Sequence, residues 1–356
     1  MKVVLAGGFL GSGKTTAIAH ACQYLMAKGK RVAVITNDQG DQQVDSAFTR
    51  SLGIDTREVS NGCFCCRYVE LNGHLQSLLE EVKPDIVFAE SVGSCTDLVA
   101  TIAKPLQIFK PDMNVVISVF ADADYLTSLI DGRASFLQES VRYIYKKQLE
   151  EADIIVLNKV DLLTKRQLAT AHNVILRENS PKKIIHQNSL IKEDIVAWLD
   201  LLDQFTAGDR SSLTVDYDVY GAGEAQLAWL DKSIIITSPL GNGGHIARNI
   251  IRSIFNSLKQ QQFTIGHLKF FAQTEQWSKK ISLTAANTSA DFKINENNVR
   301  ELRLLINARV QIDPAVLLNV IDDVITREQE SGACTIVTEK HSSFAPGFPK
   351  PTHRMH

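Results

Sequence analysis

The sequence has no basic excess. Its 38 Lys and Arg stand against 40 Asp and Glu, a formal net charge of -2, whereas proteins that bind nucleic acid or anionic membranes usually carry a clear positive surplus. Neither partner is expected. No apolar run reaches the roughly 18 residues needed to span a bilayer. Cysteines number six in 356 residues, too few for a disulfide scaffold. Three of them fall together at Cys63, Cys65 and Cys66, which points to a reducing compartment and thiolate chemistry. No internal repeat is present. Met1-Lys2 and the run Val3 to Leu10 imitate a signal peptide only faintly, because the run is short, glycine-rich and enters Lys14 without a cleavage-like site. The expected location is cytoplasmic.

What is present is an ordinary globular composition, 44% hydrophobic and 22% charged, in a chain long enough for two domains. Short Val- and Ile-rich runs at residues 2–6, 31–36, 85–89, 114–120, 153–157 and 183–186 are nearly continuous in apolarity. Strands buried on both faces of a parallel sheet have this pattern. Helical patterns at 15–28, 72–82 and 136–151 alternate with them. The alternation predicts an α/β class, a doubly wound, mostly parallel sheet over residues 1–206. A polar break at 207–212 marks the expected boundary. Beyond it the order β-α-β-β-β-α over 213–330 predicts a second, smaller α+β domain, its last helix opened by Asp313-Pro314. Residues 331–356 are expected to form an extended tail containing Pro346, Pro349 and Pro351.

Gly8 to Thr15 matches G-x-x-x-x-G-K-[ST] between a predicted strand and a predicted helix. Gly8, Gly11 and Gly13 let the backbone curl so that N–H groups, including that of Ser12, face one anion at a helix N-terminus. Lys14 is expected to reach the β and γ phosphates, the Thr15 hydroxyl to bind Mg²⁺, and Thr16 to join the nucleotide-binding residues. Glu90, at the end of a predicted strand, is the second expected Mg²⁺-side group, with Gly93 allowing a close approach. A glycine-rich turn and a solvated loop glutamate are the plain alternatives.

Asn158-Lys159-Val160-Asp161 follows another predicted strand. A carboxylate can accept both N1–H and N2–H₂ of guanine, whereas adenine would leave it unpaired at a cost of about 1–3 kcal/mol. Asp161 therefore reads as the guanine selector, Lys159 as a stem over the base and Asn158 as a loop tie. Ser189 is a candidate support for Asp161. A charged turn is the plain alternative.

Three thiols as close as Cys63, Cys65 and Cys66 cannot all face a core, since neighbouring residues of a regular element point different ways. A redox pair or coincidental burial is the alternative to a metal site. Thiolates select Zn²⁺, Co²⁺, Ni²⁺ or Cu⁺, and three ligands leave a fourth position open. Cys22, Cys95 and Cys334 read as core or neutral positions, Cys95 being the one to watch because it follows Glu90. His74 is a further candidate ligand, with a helix-surface position as its alternative.

The phosphate loop, the stretch Asn37-Asp38-Gln39-Gly40-Asp41, the cysteine cluster, Glu90-Ser91-Val92-Gly93 and Asn158 to Asp161 stand in an order that resembles the CobW-like metallochaperone GTPases, relatives of HypB and UreG. The resemblance covers the first 200 residues closely and the later segment more weakly. It implies GTP hydrolysis, a metal at the cysteine cluster and a client metalloprotein or cofactor pathway. Zn²⁺ or Co²⁺ is the first expectation and Ni²⁺ the second. The chain departs from the family in having Asp38 and Asp41 where Glu is usual, Gln39 where Phe is common, and an unusual run from Arg67 to His74. It has no histidine-rich stretch, and His341, His353 and His356 read as a solvated tail.

The expected mechanism has γ-phosphate and Mg²⁺ ordering residues 37–45, with the neighbouring cysteine segment tightening in response. Asp38 and Asp41 are the candidates for positioning the attacking water. Slow turnover is expected, accelerated by a partner or a homodimer contact. Three other functions stay open. A GTPase that assembles or reactivates a corrinoid or other cofactor protein without carrying metal would tolerate Cys65→Ala. A metal buffer or sensor would tolerate Lys14→Ala. A P-loop kinase would not be expected to carry the sequence at 158–161.

Overall fold

A computed structural model describes the chain except residues 41–42, 132–138, 180–181, 207, 209, 285–286, 288, 332–333 and 356. The chain divides into two compact units. One comprises Met1–Gln39, Leu52–Gly223 and Phe348–His356; the other comprises Gly40–Ser51 and Glu224–Gly347. The polar stretch at 207–212 falls inside the first unit. That unit runs on because Gly223 lies against Ile144 and Ser140, where an added Cβ would come within 2.9 Å of the Ser140 carbonyl.

The first unit is built on seven strands: β1 Lys2–Gly7, β2 Val32–Asn37, β3 Asp55–Val59, β4 Ile86–Glu90, β5 Asn114–Asp122, β6 Ile154–Asn158 and β7 Lys183–Gln187. They pair in parallel in the order β3-β2-β4-β1-β5-β6-β7, with helices between them. This is the doubly wound P-loop NTPase arrangement. The central strands are apolar along their length because both faces are covered. On one side Val4, Phe88, Val116 and Phe120 pack with Ile18, Cys22 and Trp198. The Trp198 ring lies 5.2 Å from Phe120 and 5.7 Å from Phe88, and its Nε1–H donates to Ser118 Oγ at 3.0 Å. Truncating a buried ring of this size to Ala costs about 3–5 kcal/mol.

β3 does not emerge from the periodicity. Its residues Asp55, Arg57 and Glu58 are charged, and it is an edge strand whose pairing with β2 supplies the order that its apolar content lacks. The cysteine segment consequently follows β3 directly.

The parallel register places the strand ends at one edge. Ala6 pairs with Glu90, Gly7 with Val119, Asn37 with Val59, and Asp122 with Asn158. The order reverses at β1, so the crevice beyond its carboxyl end is where an open α/β sheet holds ligands.

The second unit carries the strands β8 Ala228–Thr237, β9 Thr264–Gln273, β10 Ser278–Leu283, β11 Glu301–Gln311 and β12 Thr335–Phe344. All are antiparallel, in the order β10-β9-β11-β8-β12. Helices Gly243–Gln260 and Pro314–Ser331 share one apolar core with alternate residues of these strands, among them Leu230, Ile234, Leu304 and Ile306. Asp313 caps the later helix through Ala315 N–H (2.8 Å) and Val316 N–H (3.3 Å).

β12 differs from the expected tail. Its segment alternates polar residues and is largely exposed, as a charged edge strand is, so its sequence resembles a coil. Exposed His341 belongs to this strand. The opposite sheet face is polar. Arg309 is buried against Asp231 (2.8 Å) and the Trp229 ring (4.0 Å), and Asn307 Nδ2 donates to Asp231 Oδ1 at 2.8 Å. The helix Val44–Ser51 is tied to this network, with Val44 N–H donating to Asn307 Oδ1 at 2.9 Å. Asp45 sits between Lys269 and Lys280, whose charges outweigh burial and hold its carboxyl far below the usual range. No helix of the described residues is long and apolar enough to cross a membrane.

Candidate functional site

The loop after β1 has the left-handed backbone that its glycines allow: φ is 123° at Gly8, 77° at Gly11 and 92° at Gly13. At Gly8 a side chain is excluded outright, since a Cβ would stand 2.2 Å from the Phe120 carbonyl oxygen. The helix Lys14–Ala27 follows at once and includes Thr15 and Thr16. Lys14 Nζ donates to Gly8 O at 2.6 Å and Phe9 O at 3.3 Å, folding the ammonium into the curl. Ser12 Oγ is buried there with no hydrogen-bond partner. An anion would satisfy such a hydroxyl and the loop N–H groups together.

Thr15 Oγ1 donates to Glu90 Oε1 at 2.8 Å, joining residues 75 positions apart. Neighbouring oxygens of an octahedral Mg²⁺ shell with bonds of 2.0–2.1 Å stand roughly 2.9 Å apart, so this pair fits that ion.

Asn158 ties two loops together. Its Nδ2 donates to Ser12 O at 2.7 Å, and its Oδ1 accepts from Ser189 N (3.1 Å) and Ser189 Oγ (2.8 Å). Ser189 therefore serves Asn158 rather than the expected Asp161. Lys159, at φ 62°, donates to Asp122 Oδ2 at 2.6 Å, while Asp161 is exposed on the short 3₁₀ turn Val160–Leu162. Asp122 was not singled out from sequence. It ends β5 and also accepts from Asp124 N and Tyr125 N at the start of the next helix. A carboxylate at a strand's last residue was the available signal.

The three expected thiols do converge. Cys63 Sγ lies 2.8 Å from Cys65 Sγ and 3.2 Å from Cys66 Sγ, and the remaining pair is 3.8 Å apart. Among the described residues these form the one group of three or more His, Cys, Asp or Glu whose ligand atoms all lie within 4.8 Å. A tetrahedron with 2.3 Å metal–sulfur bonds has edges of about 3.8 Å. One edge already matches, and the other two would need to open.

A tight turn assembles the cluster, with Cys66 N–H and Arg67 N–H both donating to Cys63 O. Sulfur contacts with Cys65, then Cys66 and Cys95, hold the Cys63 thiol well below its ordinary value. The same contact pushes Cys65 well up and Cys66 up to about 11.

Asn37, the last residue of β2, holds this turn in place. Its Nδ2 donates to Val59 O (3.1 Å) and Gly62 O (2.7 Å), and its Oδ1 accepts from Phe64 N at 2.8 Å. Asp38 N–H donates to Val59 O at 3.2 Å. Asp41 lies outside the described residues.

His74 turns elsewhere, its Nε2 at 3.0 Å from Glu58 O. The segment expected as a solvated tail instead crosses the cysteine turn. Lys350 N–H donates to Cys66 Sγ (3.2 Å), Thr352 N–H to Cys65 O (2.8 Å) and Thr352 Oγ1 to Cys66 O (3.2 Å). His353 packs on Tyr68 at 4.8 Å and on Phe109 at 5.5 Å. Residue 356 lies outside the described residues. Of the other cysteines, Cys22 is buried in the apolar core and Cys334 is half-buried.

The fold and this site define a P-loop nucleotide-binding protein with a thiol cluster tied to the end of β2. The chain belongs to the CobW/HypB/UreG family, whose nucleotide-binding domain matches residues 2–187. It is 32% identical over 229 residues to the zinc chaperone CobW of a Sinorhizobium species, covering 58% of this chain and 64% of that protein. It is 29% identical over 184 residues to the zinc chaperone YeiR of Escherichia coli, covering 51% of this chain and 53% of that protein. The chain thus spans between about half and two thirds of these relatives' lengths. Among solved structures, Helicobacter pylori HypB in complex with nickel is 16% identical with a TM-score of 0.42, covering 59% of this chain and 91% of that one.

Proposed function

We propose that this chain hydrolyses GTP and uses the cycle to bind a transition metal at Cys63, Cys65 and Cys66 and to deliver it to a client metalloprotein or cofactor pathway. The observation that carries the proposal is the Asn37 bridge, which fastens the thiol turn to the strand end where the 37–45 switch begins. In the proposed cycle, Lys14, Ser12 and the loop amides bind the phosphates, Thr15 and Glu90 hold Mg²⁺, and Asp38 and Asp41 orient the attacking water. Asp161 accepts from guanine, with Lys159 over the base.

Ordering of the switch by γ-phosphate pulls on Asn37 and tightens the sulfur site; hydrolysis relaxes it. The coupling is reciprocal, so metal must raise GTP affinity by the same factor that GTP raises metal affinity. The names of the relatives favour Zn²⁺ as cargo, with Co²⁺ and Ni²⁺ compatible with the same thiolates. Titration of Zn²⁺, Co²⁺ and Ni²⁺ with and without a non-hydrolysable GTP analogue tests the cycle. Tighter metal binding with the analogue is expected, and affinities indifferent to nucleotide would remove the switch.

A further inference from the structure

The loop that leaves β4 lies against the phosphate loop. A Cβ on Gly93 would meet Leu10 N at 3.0 Å and the Leu10 side chain at 2.5 Å. Cys95 N–H donates to Val92 O at 3.0 Å, closing a turn over residues 92–95, and Ser91 N–H donates to Ala6 O at 3.0 Å. A trans peptide directs its C=O and N–H opposite ways. With Val92 O engaged inside the turn, the Gly93 N–H faces out of it. Gly93 is buried, and among the described residues its N–H makes no hydrogen bond. A buried backbone donor of this kind calls for a partner, and an anion on the phosphate loop supplies one.

One side chain holds the turn. Gln148 is 1% exposed on the helix Glu139–Glu151, and its Nε2 donates to Gly93 O at 3.0 Å and to Cys95 O at 2.8 Å. Both partners are carbonyls, so both amide hydrogens are used. Among the described residues its buried Oε1 has no hydrogen-bond partner. An apolar side chain of similar size would avoid that cost, so packing alone gives no reason for an amide here. Its two donors do.

The same helix face reaches the phosphate loop. Three residues before Gln148, Tyr145 packs edge-on against Phe9, with ring centroids 6.3 Å apart. Three residues after it, Glu151 accepts from Thr96 Oγ1 at 3.3 Å and from Leu98 N–H. Positions three apart are neighbours on a helix surface, so one face grips both loops of the phosphate site.

We propose that Gln148 is a positioning residue for nucleotide hydrolysis, fixing the 92–95 turn so that the Gly93 N–H is aimed at the γ-phosphate. This rests on the proposed function and deepens it. Gln148 acts only through the backbone that it holds. A donor already aimed when the triphosphate arrives needs no reorganisation as charge shifts in the transition state. GDP has no γ-phosphate, so its binding does not draw on this arrangement.

The test compares Gln148→Met and Gln148→Glu with the unaltered full chain. Met keeps the length without the donors, and Glu sets a carboxylate against two carbonyl oxygens. The readouts are kcat and KM for GTP, and affinity for a non-hydrolysable GTP analogue and for GDP. In both variants kcat should fall about 100-fold, the scale on which a small misplacement acts. Analogue affinity should fall about tenfold or more, as for loss of a hydrogen bond to a charged group, while GDP affinity is unchanged. A general loosening of the fold would not spare GDP. Variants that retain GDP binding and turn over GTP at the unaltered rate would overturn the assignment, as would equal losses of GDP and analogue affinity. Amide exchange at Gly93 in the unaltered chain is a second reading that needs no variant. The analogue should slow it relative to GDP, and equal exchange with the two nucleotides would overturn the proposal. Absence of GTP turnover in the unaltered chain would overturn the proposed function instead, and the ratio of analogue to GDP affinity in the variants would still decide the role of Gln148.

Discussion

Replacing Asn37 by Ala tests the link between the switch and the metal site. The side chain makes three hydrogen bonds, to Val59 O, Gly62 O and Phe64 N, all between 2.7 and 3.1 Å, and the residue is 9% exposed. Each such bond contributes about 0.5–1.5 kcal/mol, so truncation should cost about 1.5–4.5 kcal/mol in ordering the cysteine turn. If all of it falls on the metal-binding geometry, metal affinity drops by roughly 10- to 1,000-fold, at 1.4 kcal/mol per factor of ten. The phosphate-loop contacts of Lys14, Thr15 and Asn158 do not involve Asn37, so binding of a GTP analogue should persist. Its enhancement of metal affinity should not. Asn37→Asp keeps an acceptor for Phe64 N–H but turns a carboxylate toward two carbonyl oxygens, and should lose at least as much. The assay is chelator competition with and without the analogue, on protein whose melting confirms folding. A folded Asn37→Ala chain with undiminished metal affinity and undiminished coupling would refute the reasoning.

Three further outcomes are expected. Glu151 is fully buried, and desolvation, reinforced by Asp97, raises its carboxyl to about 8. The folded chain therefore keeps a proton that the unfolded chain releases near the ordinary value of 4.5. Its contribution to stability is fullest below that value and is lost as pH rises toward 8, a change on the order of 5 kcal/mol. Glu151→Gln should flatten the fall of urea-unfolding stability expected of the unaltered chain between pH 5 and 8; an unchanged slope would contradict this. Removing residues 348–356 takes away the Lys350 and Thr352 bonds to the cysteine turn and should speed alkylation of half-buried Cys66. Equal alkylation rates would show that the strap does not shield it. Asp161→Asn should shift preference from GTP toward xanthosine triphosphate, whose added carbonyl suits an amide donor; equal competition by ATP in the unaltered chain would discard the base assignment.

What the sequence alone determined is local. The glycine positions, Lys14 and Thr15 define an anion-binding turn within eight contiguous residues, and the continuous apolar runs dictate strands covered on both faces. The spacing of Cys63, Cys65 and Cys66 is short enough for one turn to gather them. The tertiary structure decided whatever depends on strand order and register. Pairing Ala6 with Glu90 across β1 and β4 brings Thr15 to its carboxylate. The reach of Asn158 to Ser12 depends on β6 ending beside β5, which itself lies beside β1. Charged β3 and polar β12 take their form from neighbouring strands rather than from their own apolar content. Residues 44–51 pack against buried polar groups of the second unit, and 350–353 lie over the cysteine turn. Such contacts join residues far apart in the chain, and no periodicity within either segment encodes its partner.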